Sequence, residues 1–230
     1  MLTHESWMTL AALRHGFLDR AECATVGWRA AVAAAGAPLP IVTARQVHGT
    51  RIVTACSQET EPPQADGVVT ADAGFLVGVV TADCMPVLLL SRARRVVAAV
   101  HAGWRGTAGG VLEAAVTHLA GFGAGPETLE AVIGPAIGPC CYEVGDEVRA
   151  AFEARSGQVT AGAWTLRGPR PHLDLRAAAR LLLAAQGVRT AAVIGPCTAC
   201  GTGYASYRRD GAGGGRQLSF IGWGRQGSPR

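Results

Sequence analysis

Lysine is absent from the 230-residue chain, so all 21 basic residues are arginine. The absence excludes three kinds of catalytic site that need a lysine: the phosphate-binding P-loop, the Schiff base and the Ser-Lys dyad. Aromatic residues are also few, at 6%, and none interleaves with the arginine clusters at residues 92–95 and 208–209. With a formal net charge of only +4, this pattern indicates a solvated face or an anion pocket holding one arginine, and no nucleic-acid interface.

No segment has the features of a secretory signal or of a membrane span. Residues 1–7 lack a basic segment followed by an apolar core. The longest apolar stretch, residues 75–90, contains Asp83 and Pro86 and is too short to cross a bilayer. We therefore expect a cytoplasmic protein without a membrane partner. The odd count of seven cysteines favours reduced thiols or metal ligands over a disulfide framework.

The composition, with 49% hydrophobic and 17% charged residues, is that of a globular protein with a substantial core. Apolar runs bounded by glycine, proline or aspartate predict strands over residues 41–43, 51–55, 67–70, 76–80, 87–90, 96–100, 130–134, 190–195 and 217–221. Helical periodicity and capping residues predict helices over residues 107–120, from Asp146 onward, and from Asp174 to Gln186 before Gly187. Many strands broken by few helices indicate the α+β class, and we expect one domain over residues 1–230 because no linker or repeat is visible.

Three segments place a metal-ligand residue where an apolar run stops. They are Gln46-Val47-His48-Gly49, Thr81-Ala82-Asp83-Cys84-Met85-Pro86 and Ala99-Val100-His101-Ala102-Gly103-Trp104-Arg105-Gly106. Two imidazoles and one thiolate suit zinc, and the thiolate would also accept copper. Separations of 36 and 17 residues are too long for a structural zinc knuckle and are typical of a catalytic site with one open coordination position.

Each of these residues alone is better explained as a packed or hydrogen-bonded side chain. Their shared position at strand breaks, with glycine or proline within two residues, favours the metal site over that simpler interpretation. Met85 is disfavoured as an axial copper ligand because neighbouring strand residues point to opposite faces.

Two residues beside the proposed ligands have alternative interpretations. Asp83 is either a proton carrier or the cap of a turn, and a catalytic role requires a bulge or loop, since on a regular strand it would point away from Cys84. Arg105 either binds an anion such as phosphate or forms a surface ion pair.

The remaining motifs give weaker signals. Pro196-Cys197-Thr198-Ala199-Cys200 contains half of the zinc nucleobase-deaminase signature, but the His-x-Glu half is absent. Cys197 and Cys200 are therefore interpreted as structural, or as an incidental pair that closes a turn. Cys140 and Cys141 are neighbours, and we do not expect them to face one site together. The Gly213-Gly214-Gly215 run lacks a strand-to-helix context and is interpreted as a hairpin turn.

Several segments resemble the YfiH/laccase-domain family, long labelled polyphenol oxidases and now described as purine nucleoside phosphorylases. The matching segments run in order along nearly the whole chain: His15-Gly16-Phe17, Arg45-Gln46-Val47-His48-Gly49, Ala65-Asp66-Gly67, the Cys84 and His101 segments, Pro139-Cys140-Cys141-Tyr142-Glu143-Val144 and Ser206-Tyr207-Arg208-Arg209-Asp210-Gly211. The Cys84 and His101 segments are the most specific of these. The chain departs from the family pattern at Pro196 and after Phe17, which leaves the fine specificity in question.

The resemblance implies an α+β sandwich of mixed sheets flanked by helices. It implies that His48, Cys84 and His101 are both catalytic residues and zinc ligands, with copper as the alternative metal. The implied activities are phosphorolysis of adenosine, inosine, guanosine and methylthioadenosine, and deamination of adenosine at the same site. Purine nucleosides and phosphate would then be the partners, and the candidate substrate-binding residues are Gln46, Asp83, Arg105 and Arg208.

Other functions remain open at this point. A cysteine hydrolase acting on cell-wall precursors would use Cys84 as nucleophile and His101 or His48 as base. A copper-dependent polyphenol oxidase and a binding module with a structural metal are further alternatives, although the long gaps between the ligands argue against the binding module. The sequence does not determine the oligomeric state.

Overall fold

The computed structural model describes residues 1–24, 27–56, 61–167 and 169–225. The helices are α1 (Glu5–Met8), α2 (Arg20–Cys23), α3 (Trp28–Ala34), α4 (Trp104–Gly109), α5 (Val111–Ala120), α6 (Asp146–Thr160), α7 (Leu175–Ala185) and α8 (Tyr207–Asp210). The strands are β1 (Leu13–Phe17), β2 (Ile41–Thr43), β3 (Ile52–Thr54), β4 (Gly67–Thr70), β5 (Leu76–Thr81), β6 (Met85–Ser91), β7 (Val96–Ala102), β8 (Leu129–Ile133), β9 (Trp164–Arg167), β10 (Arg170–Leu173), β11 (Thr190–Val193) and β12 (Gln217–Trp223). Within the described ranges, no helix combines the length and the apolar character needed to cross a membrane.

The strands form two mixed sheets and one separate pair. The four-stranded sheet has the order β1-β12-β5-β2, and the six-stranded sheet has the order β11-β8-β6-β7-β4-β3. Strands β9 and β10 pair with each other in antiparallel orientation. Parallel pairing occurs between β2 and β5, between β3 and β4, and between β8 and β11. The predicted α+β class with mixed sheets is confirmed.

Side-chain alternation in β7 shows how the layers are arranged. Val96, Ala98 and Val100 belong to a hydrophobic cluster that includes the inward faces of α5, α6 and α7. Val97 and Ala99 belong to a second cluster, which includes residues of β1, β5 and β12 in the other sheet. The two sheets therefore pack face to face. Helices α4 to α7 cover the outer face of the larger sheet, and α3 packs on the outer face of the smaller one.

The predicted strands are all present, with ends that shift by a few residues. The strand predicted over residues 96–100 continues to Ala102, so His101 lies inside β7. The helix beginning after Asp174 is confirmed, with the Asp174 side chain accepting a hydrogen bond from the Ala177 N–H at 3.0 Å.

The prediction of one continuous helix over residues 107–120 is wrong. Two helices, α4 and α5, meet at Gly110, which has a φ of +100°. Only glycine adopts this left-handed conformation readily, so the break is a backbone property of Gly110 that side-chain periodicity does not reveal.

The interpretation of Gly213-Gly214-Gly215 as a hairpin turn is also wrong. The chain forms α8 and then a 3₁₀ turn over Gly211–Gly214 before β12 begins. Strand β12 pairs with β1 and β5, which are distant in sequence, so no hairpin exists there. Strands β1, β9 and β10 and the short helices were not predicted from the sequence. Strand β1 (Leu-Arg-His-Gly-Phe) lacks an apolar run, and its conformation depends on pairing with β12.

Buried His15 in β1 makes the fold sensitive to acid. Its ring is 5% exposed and accepts a hydrogen bond at Nε2 from the His4 N–H at 2.9 Å. Burial, assisted by the charge of His4, lowers the pKa of His15 from 6.5 to about 4. Between pH 4 and pH 6.5, His15 therefore binds a proton in the unfolded chain but stays neutral in the folded chain.

We expect His15 to reduce the free energy of unfolding as the pH falls from above 6.5 toward 4. The linkage relation gives a loss of about 2 kcal/mol between pH 7.5 and pH 5. The measurement is urea unfolding of the wild type and of His15→Gln at both pH values. The variant should lose less stability than the wild type over this interval, and an equal loss in both proteins would contradict the prediction.

Candidate metal and substrate site

One end of the sandwich carries the three proposed ligands. His101 lies near the end of β7, Cys84 directly precedes β6, and His48 lies in the loop between β2 and β3. Because β4 and β6 both run antiparallel to β7, their first residues meet the last residues of β7 at one edge of the sheet. Alternation along β7 turns His101 to the same side as Val97 and Ala99, toward the space between the two sheets.

The structure brings these side chains into one group, the His-Cys-His group. One ligand atom of each of His48, Cys84 and His101 lies within 4.8 Å of the others. The two imidazole rings stand nearly perpendicular, at 84°, with their centroids 4.9 Å apart. His101 is buried, Cys84 is partly buried and His48 is exposed, so the group has a protected side and an open side. Three donors in this arrangement can hold a metal ion with a coordination position left toward solvent.

Buried Asp66 orients two members of the group. Its Oδ1 lies 2.8 Å from the His101 Nδ1 and accepts the His48 N–H at 2.9 Å, while Oδ2 accepts the Gly49 N–H at 2.7 Å. Engagement of Nδ1 leaves the Nε2 of His101 for a metal, as in carboxylate–histidine–metal arrangements. These bonds also hold His48 at a φ of +61°, an unfavourable backbone conformation for a residue with a side chain. Asp66 was not predicted as a site residue, although it directly precedes Gly67, the first residue of β4.

Within the His-Cys-His group, the thiol and the imidazoles each favour the charged form of the other. Burial alone would raise the pKa of Cys84, but hydrogen bonds from His101 and His48 outweigh it and lower the pKa to about 7. Burial alone would lower the pKa of His101, whereas its bonds to Asp66 and Cys84 raise the pKa to about 9. The thiolate is the form of cysteine that binds metals and acts as a nucleophile, so this environment prepares Cys84 for either role.

A cavity of about 750 Å³ opens over the His-Cys-His group. This volume lies within the range of small-molecule sites, roughly 300–1,000 Å³. All four candidate substrate-binding residues line it together with the three proposed ligands: Gln46, Asp83, Arg105 and Arg208. The cavity is also lined by Trp104, Tyr142, Tyr207 and Arg216, which were not predicted to bind substrate.

Gln46 and Asp83 hold the walls of the cavity in place. The Gln46 side-chain amide donates to the Val80 carbonyl at 2.7 Å and accepts the Val80 N–H at 2.8 Å, which fastens the His48 loop to β5. Asp83 lies in the loop between β5 and β6 at a φ of +77°. Its carboxylate accepts hydrogen bonds from the Thr198 hydroxyl at 2.6 Å, the Ser206 hydroxyl at 3.0 Å and the backbone N–H of Arg208 at 2.6 Å. Three donors therefore occupy this carboxylate, as expected for a residue that joins loops.

The two candidate arginines differ in their surroundings. Arg208 donates to the carbonyl oxygens of Cys141 and Glu143 at 3.1 Å, so backbone groups already occupy much of its guanidinium. Arg105 is exposed and stacks its guanidinium 4.3 Å from the centroid of the Trp104 ring. Among the described residues, no carboxylate forms an ion pair with Arg105. Arg105 is therefore better placed than Arg208 to meet an anion in the cavity.

The expectation that Cys140 and Cys141 cannot face one site is wrong. The Cys200 Sγ lies 3.3 Å from the Cys140 Sγ and 3.5 Å from the Cys141 Sγ. The physical reason is a tight turn, in which the N–H groups of Cys141 and Tyr142 both donate to the Gly138 carbonyl. In such a turn, neighbouring side chains are not held on opposite sides as they are in a strand.

Met85 lies away from the site. Its side chain is fully buried in the helix-facing cluster, on the opposite side of β6 from the space between the sheets. The position agrees with its rejection as an axial copper ligand.

Comparison with known proteins identifies the family of this chain. Residues 11–224 match the family model described as "Multi-copper polyphenol oxidoreductase laccase". The chain belongs to this family. Within this laccase family, it is 42% identical over 178 residues to a purine nucleoside phosphorylase of Deinococcus radiodurans, a match that covers 77% of this chain and 68% of the relative. It is 40% identical over 190 residues to the purine nucleoside phosphorylase YfiH of Escherichia coli, covering 82% and 76%. It is also 36% identical over 196 residues to adenosine deaminase RL5 of an unknown prokaryotic organism, covering 79% and 74%.

Solved structures show the same laccase-family architecture. The Neisseria meningitidis protein NMB0706 superposes with a TM-score of 0.79 at 33% identity, covering 94% of this chain and 96% of that one. The Bacillus licheniformis hypothetical protein YfiH superposes with a TM-score of 0.84 at 28% identity, covering 95% and 94%. The family resemblance and the expected sandwich of mixed sheets flanked by helices are both confirmed.

Gly103 gives a test of the packing around the His-Cys-His group. A Cβ at this position would lie 2.9 Å from the Cys84 Sγ and 3.2 Å from the His48 Cδ2. We expect Gly103→Ala to displace both side chains and to weaken metal binding at this group by at least about tenfold, the size of effect seen when groups that orient ligands are lost.

Zinc titration of the metal-free protein by calorimetry measures this effect. Gly213→Ala is the matched control, because a Cβ there would meet nothing within 4 Å. Equal zinc affinity in Gly103→Ala and Gly213→Ala would show that the approach of Gly103 does not matter for the site.

Proposed function

We propose that this laccase-family chain is a zinc-dependent purine nucleoside phosphorylase that also deaminates adenosine. The observation that carries the proposal is the His-Cys-His group at the base of a cavity that also presents Arg105. The names of the relatives, purine nucleoside phosphorylase and adenosine deaminase, supply the two activities. The chain is therefore interpreted as an enzyme with nucleosides and phosphate as its substrates.

The donor set fits zinc. His48, Cys84 and His101 offer two imidazoles and one thiolate, the number and type of ligands found in catalytic zinc sites. Asp66 supplies the outer carboxylate that fixes the ring of His101. When bound, zinc supplies Lewis-acid chemistry and the activation of water near neutral pH.

Aromatic side chains on the cavity wall suit a purine ring. Trp104, Tyr142 and Tyr207 line the cavity, and flat aromatic surfaces stack favourably on nucleobases. Burial, followed by the negative charge of Cys84, raises the pKa of Tyr142. Its phenol therefore stays protonated at neutral pH and can donate a hydrogen bond to a purine nitrogen.

Arg105 would hold phosphate for the first of the two reactions. In phosphorolysis, an oxygen of phosphate bonds to the ribose C1′ as the bond from C1′ to the purine nitrogen breaks, and the nitrogen keeps the electron pair and takes up a proton. A guanidinium binds phosphate oxygens through two parallel N–H donors, and its stacking on Trp104 directs Arg105 along the cavity wall. Deamination of adenosine needs water and no phosphate, so Arg105 is expected to serve only one of the two reactions.

The proposal is tested by chromatography of adenosine and inosine incubated with the protein, with and without phosphate. Release of free base only with phosphate shows phosphorolysis, and conversion of adenosine to inosine shows deamination. We expect Cys84→Ala to lose at least about 10³-fold of both activities because it removes a proposed ligand. Cys56→Ala, an exposed cysteine outside the site, is the control. Full turnover by folded Cys84→Ala would rule out the assignment of the site.

A second variant separates the two reactions. We expect Arg105→Gln to raise the KM for phosphate by roughly tenfold, the effect of losing one charge-assisted contact, with adenosine deamination nearly unchanged. Arg149→Gln, whose guanidinium pairs with Glu153 on the surface of α6, should leave both reactions unchanged. A parallel loss of deamination and phosphorolysis in Arg105→Gln would contradict a specific role in phosphate binding.

A cysteine hydrolase is the second candidate function, and the lowered pKa of Cys84 beside two histidines favours it. The two candidates differ in what inactivates them. A cysteine nucleophile should retain activity in a chelator and lose it after thiol alkylation, whereas the zinc enzyme should lose activity with its metal and recover it when zinc is restored.

A further inference from the structure

Four cysteines form a second compact group outside the His-Cys-His group. Cys140 and Cys141 follow the tight turn at Gly138, and Cys197 and Cys200 lie in the segment after β11. Their sulfur atoms all lie within 4.8 Å of one another, and we call them the thiol cluster. Nothing in the proposed reaction uses these thiols.

We propose that the thiol cluster is a structural metal site that binds a single zinc ion through four thiolates. Four cysteines around one tetrahedral zinc are a recurrent structural site, with Zn–S bonds of about 2.3 Å. That bond length places neighbouring sulfurs roughly 3.8 Å apart. The Cys200 sulfur lies 3.3 and 3.5 Å from those of Cys140 and Cys141, slightly less than this distance. All four sulfurs lie within 4.8 Å of one another, so one ion can reach them all with small adjustments.

The same separations disfavour the other chemistries open to four cysteines. A disulfide requires a sulfur–sulfur distance of about 2.05 Å, and all seven cysteines are free thiols. An iron–sulfur cluster distributes its thiolates over several irons and therefore needs them further apart than one shared ion does. The geometry of the thiol cluster thus favours one ion held by all four sulfurs.

One contact in the thiol cluster favours ionised sulfur at Cys197. The Gly138 N–H donates to the Cys197 Sγ at 3.1 Å, a contact that stabilises a thiolate. The Arg209 guanidinium, in α8, pairs with Asp210 and donates to the Thr198 carbonyl at 2.9 Å, so it holds the segment that carries Cys197 and Cys200 in place. Cys140 and Cys200 are exposed, so an ion can reach the sulfurs from solvent.

The site would join the two loops that support the cavity. Cys141 precedes Tyr142, a cavity residue, and its carbonyl accepts a hydrogen bond from Arg208. Thr198 lies between the other two cysteines and donates to Asp83. An ion shared by Cys141 and Cys197 would therefore fix two walls of the cavity without touching the substrate. Such an ion contributes to folding stability, since its ligands are brought together only in the folded chain.

The experiment measures bound zinc per chain in protein purified under reducing conditions, in the wild type and three variants. Cys200→Ser should hold about one ion fewer than the wild type and unfold at a lower temperature, because a structural site needs all four ligands. Cys56→Ser, whose cysteine is exposed and outside both groups, should match the wild type. Cys84→Ser reports on the His-Cys-His group separately, so failure of that site and failure of this one are distinguishable. Wild-type zinc content in Cys200→Ser would overturn the proposal.

Two further measurements follow, and the first uses the wild type alone and so does not depend on a variant that folds. Alkylation followed by peptide mapping should show Cys140, Cys141, Cys197 and Cys200 protected by zinc and reactive after chelation, with no reductant needed. Replacement of zinc by cobalt should give the strong sulfur-to-metal absorption of a thiolate-rich site, retained in Cys84→Ser and lost in Cys200→Ser. Full reactivity of all four thiols in zinc-loaded protein, or protection reversed only by a reductant, would contradict the metal site.

Discussion

The candidate site depends on the hydrogen bonds of one buried carboxylate, that of Asp66. A carboxylate removed from water is unfavourable unless each oxygen finds donors, and Asp66 finds them in the His101 ring and the backbone of residues 47–49. The same bonds position one ligand through its ring and another through its backbone. The burial of Asp66 and the geometry of the His-Cys-His group therefore have one cause. The positive φ of His48 is held by this arrangement, and its cost is offset by the contacts that surround it.

Asp83 has a comparable role in the loop between β5 and β6. Its carboxylate gathers donors from Thr198, Ser206 and Arg208, which lie more than a hundred residues along the chain. Two buried acids thus hold loops that line the cavity. Strand alternation explains why these loops meet at the end of the sandwich, because it directs His101 into the space between the sheets.

The two cysteine-containing groups suit different tasks. The His-Cys-His group has three donors and an open side, as a site that must admit substrate requires. The thiol cluster has four donors and no remaining position on a tetrahedral ion, as a site that only stabilises structure requires. Under the proposals above, the thiol cluster would join loops and the His-Cys-His group would carry out the chemistry.

The features that depend on local pattern could be predicted from the sequence. The main strands, the helix capped by Asp174, the family and the three candidate ligands at the ends of apolar runs could all be predicted, because hydrophobic periodicity and residue chemistry are local properties. Tertiary structure alone decided which distant segments would meet. Three contacts depend on packing between elements far apart in the chain. They are the approach of Cys200 to Cys140 and Cys141, the hydrogen bonds of Asp66, and the approach of Gly103 to Cys84. Strand β1 also depends on tertiary structure, because a segment with arginine, histidine and glycine becomes a strand only when β12 supplies its hydrogen bonds.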